Sequence, residues 1–205
     1  EIKQNDTFID VAGGENSYIG KLSCGKKYLQ NIKIDGILRN KFDSDVVCIE
    51  GDAAQIPLAE GSVNKMACHH SFEHFQGDSD TRFIWEIQRL LAPNGCCVII
   101  PIFIGKRYVE VRQKKTLECH YDSNSIHVTD PTARITGGES CGDYARIYDI
   151  ESFKDRIMKH IDASLMKSEI VEIYIGDRSV PSPALLYHLD ITGINFPYRA
   201  LVLKR

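Results

Sequence analysis

The chain has 205 residues, enough for one domain with a substantial core. Hydrophobic residues make up 43% and charged residues 26%, as in ordinary soluble proteins. The net charge of −3 gives no electrostatic case for a nucleic-acid partner or an anionic membrane, no apolar run reaches membrane-spanning length, and the N-terminus lacks a signal-peptide pattern.

Thr7 to Ala12 is a short apolar run that breaks at Gly13-Gly14, the pattern of a buried strand. Asn16 or Ser17 caps an expected helix to about Leu22. Tyr28 to Ile34 alternates and ends at Asp35-Gly36, a second strand. Val46 to Glu50 and Val63 to Cys68 are a third and a fourth. Asp80 to Leu91 places Phe83, Ile84, Ile87, Leu90 and Leu91 at helical spacing, with Asp78 or Asp80 as its cap. Pro93-Asn94-Gly95 ends that helix, and Cys96 to Phe103 is a continuous apolar run, the mark of a strand buried on both faces.

Strand and helix alternate to this point, which predicts βαβ units and a parallel sheet. Residues from about 105 to 148 are polar and weakly periodic, and we read them as an insertion over the carboxyl edge of the sheet. Ile150 to Ile161 returns to helical spacing. Glu169 to Ile175 and Pro197 to Lys204 are two more strands, joined by a long loop from Gly176 to Asn195 with prolines at 181 and 183. The whole is one domain over 1–205. The start at Glu1, with a strand almost at once, points to a further segment upstream.

The seven cysteines include no CxxC pair, so neither a zinc site nor a redox dithiol is signalled. Reduced, mostly buried thiols in a cytoplasmic protein are the expectation.

Ligands of open α/β sheets bind at the carboxyl ends of strands, so the strand-end residues are the candidates. The first loop reads Asp10-Val-Ala-Gly-Gly-Glu-Asn16. A glycine pair lets backbone approach a ligand, and a helix N-terminus after it offers free N–H groups. The GxGxxG pattern and the P-loop lysine are both absent, which speaks against a dinucleotide or ATP. Asp35 follows the second strand, where a carboxylate can accept both hydroxyls of a ribose; Gly36 adjoins it. Asp52 follows the third and could accept from an adenine amine, with Ala53 leaving room for the ring. At the fourth strand end stand His69 and His70, then Ser71-Phe72-Glu73-His74. The last five also match H-x-x-E-H, an inverted zinc-peptidase pattern, although the preceding strand and nearby Gly77 leave no room for a long helix.

In order and spacing these motifs resemble the class I S-adenosylmethionine-dependent methyltransferases, of the type 11 kind. IDVAGGEN corresponds to the family's glycine loop, with Ala12 and Asn16 at positions usually held by glycine. GDAAQIPLAEGSVN, SFEHF and EIQRLLAPNG correspond to the elements around strands three to five. The match extends over roughly half the chain.

The resemblance implies an α/β, Rossmann-like sheet of seven mostly parallel strands with helices on both faces. The order would be 3-2-1-4-5-7-6, with the last strand antiparallel. It implies S-adenosylmethionine as cofactor, held by Asp10, Ala12, Gly13, Gly14, Asp35, Gly36, Asp52, Ala53 and His69. It implies methyl transfer by in-line displacement to a small-molecule acceptor, with His70 first and His74 second as the catalytic base. No metal is called for. Arg146, Tyr148 and the Ser152-Phe153 helix start would close the acceptor site. A catalytically silent interaction module and a metal-dependent hydrolase using His70, Glu73 and His74 are the alternatives.

Overall fold

The computed structural model describes residues 1–112, 121–129, 144–175, 178–179 and 198–205. The apolar runs of the first hundred residues form β1 (Thr7–Val11), β2 (Lys26–Asn31), β3 (Val46–Glu50), β4 (Val63–His69) and β5 (Leu91–Ile100). They pair in parallel in the order β3-β2-β1-β4-β5. Next in the chain come β6 (Val109–Arg112), β7 (Ile126–Thr129) and β8 (Tyr144–Ile147), a separate sheet of order β7-β6-β8. The chain then returns to the main sheet as β9 (Lys167–Ile175), the short β10 (Arg178–Ser179) and β11 (Tyr198–Lys204). β11 lies between β5 and β9, antiparallel to both. With the small sheet set aside, the order is the expected 3-2-1-4-5-7-6, and β10 adds an edge strand beside β9.

Alternation along the strands divides the core. Ile9, Val11, Met66, Cys68, Cys97, Ile99, Leu201 and Leu203 pack on one side. There they meet Phe83, Ile84, Ile87 and Leu90 of α2 (Ser79–Leu90) and Phe153 of α3 (Ile150–Arg156). Each such buried side chain contributes roughly 1.5–3 kcal/mol. On the opposite side Phe8, Leu29 and Val46 pack with Ile19, Ile34 and Leu38, the last from α1 (Gly36–Lys41). Among the described residues the cysteines are free thiols, and no helix is long and apolar enough to cross a membrane.

Several boundaries differ from the sequence reading. β2 stops at Asn31, not at Ile34, because Ile34 turns into the core beneath α1 rather than continuing the ladder. No α-helix follows the glycine loop; a single 3-10 turn at Ile19–Lys21 stands there. α3 ends at Arg156 and gives way to a 3-10 turn at Met158–His160. Asp78 occupies the N-cap of α2 without a capping hydrogen bond, and Asp80 is buried in ion pairs instead. The loop from 176 to 195 lies outside the described residues apart from β10.

Candidate active site

Parallel pairing brings the carboxyl ends of β3, β2, β1 and β4 to one edge, with Asn31 opposite Glu50 and Val11 opposite both Gln30 and Cys68. The chain leaves β1 through Ala12, at φ 52°, and leaves β4 through His70, at φ 53°. Non-glycine residues seldom adopt this left-handed region, and such outliers gather at functional sites. The two turns are tied together: the Ser71 hydroxyl donates to the Ala12 carbonyl at 3.0 Å.

The glycine loop is held from beneath. Ala12 N–H donates to the Gln30 side-chain oxygen at 3.0 Å, and Gly13 N–H donates to the Gln30 carbonyl. Asp10 is buried under the loop and accepts a short hydrogen bond from the Ser17 hydroxyl. Burial raises its carboxyl to about 6, with the Ser17 bond opposing. A Cβ at Gly13 would fall 2.5 Å from Leu29 Cδ1 and 2.8 Å from Asp10 Oδ2, so the chain's own packing requires that glycine. A Cβ at Gly14 would meet nothing within 4 Å. The open backbone that the sequence suggested is therefore at Gly14, and no helix N-terminus accompanies it.

At the next two tips the residues are partly other than expected. Asp35 is four residues past the end of β2 and caps α1, accepting from Leu38 N–H at 2.8 Å; Gly36 opens that helix. The tip of β2 is Asn31, whose amide donates to the Gly13 carbonyl at 2.9 Å. Buried Gln30 reaches across to the Gly51 carbonyl at 2.6 Å. Two carboxamides thus latch the ends of β1, β2 and β3. A buried polar residue near a strand end is the signal that could have revealed Gln30. Glu50 accepts from Ile34 N–H at 2.9 Å. Asp52, half-exposed, accepts from Ala54 N–H and pairs with Arg82 at 3.2 Å; Ala53 beside it is buried. The EIQR motif serves this turn. Glu86 accepts from Ile56 N–H at 2.6 Å, and Arg89 donates to the carbonyls of Ile56 and Leu58.

β4 ends at exposed His69, whose ring meets that of His70 edge-on at 4.5 Å. Burial, then the neighbouring His69 and His74, lower His70 to about 4. Phe72–His74 is a 3-10 turn, so the H-x-x-E-H residues are not on one α-helix. Among the described residues no cluster of three metal-ligating groups occurs. His74 is buried, and its Nδ1 lies 2.6 Å from the Tyr144 carbonyl, an arrangement in which Nδ1 carries the proton. Glu73 is buried between the rings, its Oε1 3.9 Å from His70 Nδ1 and 3.8 Å from His74 Nε2. Neither Glu73 Oε2 nor His74 Nε2 has a hydrogen-bond partner. Burial holds the Glu73 carboxyl above its ordinary value.

Arg146 and Tyr148 do not line the acceptor side as expected. Arg146 is fully buried and pairs with Asp80 at 2.6 Å and Glu110 at 2.7 Å. Tyr148 donates to Asp80, and Arg156 joins Asp80 to Asp122. Asp149 and Ser152 form a capping box on α3. These residues fasten the small sheet to α2 and α3. An open cavity of about 450 Å³ borders the same network, lined in part by Tyr108, Asp149, Asp155 and His160, away from the strand tips.

Residues 20–99 match the family model of a methyltransferase domain. Over these residues the chain is similar to that family. Solved structures repeat its fold. An S-adenosylmethionine-dependent methyltransferase from Mesorhizobium loti is 10% identical with a TM-score of 0.62, covering 98% of this chain and 91% of its own. A Haloferax volcanii methyltransferase, solved with the Trm112 methyltransferase activator, is 13% identical with a TM-score of 0.59 and covers 99% and 84%. Geranyl diphosphate C-methyltransferase from Streptomyces coelicolor, holding Mg²⁺, geranyl diphosphate and S-adenosyl-L-homocysteine, is 10% identical with a TM-score of 0.59 and covers 100% and 74%. No curated protein matches the chain.

S-adenosylmethionine is the cofactor that this similarity implies. The tips suit its parts: open backbone at Gly14, an amide and a carboxylate at Asn31 and Glu50, and the half-exposed carboxylate of Asp52.

Proposed function

We propose that this methyltransferase acts on a small-molecule acceptor, with the cofactor lying across the tips of β1 to β4. The observation that carries this reading is the alignment at one sheet edge of Gly14 and Asp52 with His70, which burial keeps neutral above about pH 4. The loop at Gly13 and Gly14 would approach the methionine part. Asn31 and Glu50 would face the ribose in place of Asp35. Asp52 and Ala53 would flank the adenine. When bound, the sulfonium supplies an already activated methyl group, so the protein's main task is alignment.

His70 is the base for an acceptor that must lose a proton. An imidazole neutral at pH 7 can accept one directly. His74, sealed inside and bonded to the Tyr144 carbonyl, is a positioning residue, and Glu73 lies between the two rings, 3.9 Å from His70 Nδ1 and 3.8 Å from His74 Nε2. Titration calorimetry with S-adenosylmethionine and S-adenosylhomocysteine tests the reading, with one site expected for each. Absence of heat at millimolar ligand overturns it. Labelled methyl transfer to a panel of small hydroxyl, amine and carbon acceptors then tests turnover.

One observation favours a second reading. β2 presents an amide where the family resemblance implies a carboxylate, and Ala12 replaces a glycine. A binding module that takes the cofactor without turnover would show calorimetric binding and no labelled product on any acceptor.

A further inference from the structure

We infer that Arg112 is an anchor for an oxyanion on the acceptor, a carboxylate or a phosphate. This deepens the small-molecule reading above and rests on it. Arg112 closes β6 and lies opposite Tyr144 of β8, whose carbonyl holds His74. It therefore stands one strand away from the residue that fixes the β4-tip cluster. Its Nη2 is buried and makes no hydrogen bond. Among the described residues no carboxylate reaches it within ion-pair distance.

The carboxylate best placed for it is already committed. Glu110, two residues earlier and so on the same face of β6, accepts at Oε1 from Tyr144 and Arg146. Its Oε2 accepts from Asp122 N–H and Ser125. Arg112 is left with an aromatic neighbour, its guanidinium carbon 5.9 Å from the ring of Tyr121, which stacks on His127 at 4.2 Å. An unpaired guanidinium nitrogen away from water is costly. A planar donor fork beside an aromatic face suits a ligand carboxylate or phosphate, which it can grip with two parallel hydrogen bonds.

The test titrates inorganic pyrophosphate, and separately succinate, into the full chain by calorimetry. Wild type, Arg112→Gln, Arg112→Lys and the surface control Lys106→Gln are compared. One of the two anions is expected to bind wild type and Lys106→Gln alike, and at least tenfold more weakly to Arg112→Gln. Which anion binds tells phosphate from carboxylate. Arg112→Lys keeps the charge without the fork and is expected to bind several-fold more weakly than wild type, which covers a Gln variant that fails to fold. The inference is overturned if neither anion binds wild type, if an Arg112 variant binds as tightly as wild type, or if Lys106→Gln loses as much as Arg112→Gln. S-adenosylhomocysteine binding is measured in the same proteins and is expected to be equal in all. Its absence from wild type would remove the cofactor reading, while the anion titrations still decide the role of Arg112.

Discussion

Gly13 and Gly14 stand side by side in one loop and meet different demands. At Gly13 the constraint is internal, because Leu29 and Asp10 fill the space where a side chain would go. Gly13→Ala is expected to cost about 1–3 kcal/mol of stability, read by urea denaturation. At Gly14 the space is open. Gly14→Val is expected to keep stability within about 0.5 kcal/mol yet lose S-adenosylhomocysteine affinity by tenfold or more, about 1.4 kcal/mol. A Gly14→Val protein that binds as well as wild type would show that the cofactor does not pass this loop. Asp10 beneath gives a pH signature. Its carboxyl is raised in the folded protein, so the native state holds the proton more tightly than the unfolded chain, and its effect on stability worsens as pH rises from about 4 to about 6. Asp10→Asn is expected to raise the thermal midpoint at pH 8, where wild-type Asp10 is charged and buried, and to change it less at pH 4.

At the scale of elements, the decisive joint is between the small sheet and α2. Arg146 from β8 and Arg156 from α3 bind Asp80, and both also donate to the Gly77 carbonyl. Removing one partner of such a cluster leaves buried carboxylates uncompensated. Arg146→Met is expected to cost about 3–5 kcal/mol, with hydrogen exchange at β6 and β8 accelerating before exchange at β1 and β4. Equal acceleration in both sheets would mean that the joint is not local. This network was hardly legible in the sequence. Strand patterns rely on apolar residues, and β6 and β8 bury Glu110, Tyr144 and Arg146 instead, with charge pairing supplying what hydrophobic alternation normally signals. The end of β2 was misread for the converse reason: Ile34 is apolar because it sits under α1, so the alternation runs past the strand.

For the whole molecule, two buried carboxyls set opposite limits on the pH range. Burial pushes Asp80 up, but Arg156 and Arg146 outweigh it and hold the group below 3.8. Its contribution is present above the unfolded value and is lost as pH falls through the folded one. Asp10 penalises the fold progressively up to about pH 6 and fully above it. With the two together, the thermal midpoint is expected to peak at about pH 4 and to fall toward about pH 6, and a scan of midpoint against pH checks it. A maximum above pH 7 would show that other groups dominate. A ligand that binds the folded state alone adds to this balance, so on the proposed reading S-adenosylhomocysteine at 100 times its Kd is expected to stabilise the domain by about 2.7 kcal/mol.

The succession of strands along the chain and the place of Asp52 could be read from residues because they depend on local signals, whereas the order of the strands within the sheet came from the family resemblance. Continuous apolar runs at β1, β3, β4 and β5 are separated by turns too polar to be buried, and the Glu86–Arg89 pair that braces the Asp52 turn stands within one helical turn. Which side chains face the strand tips depended on contacts between distant segments. Gln30 and Asn31 latch a loop eighteen residues away, and His74 is fixed by Tyr144 seventy residues on. Those bonds form only after the sheet has closed. A hydrogen bond needs its partner at one distance and direction, and spacing along the chain carries no record of a partner from another element.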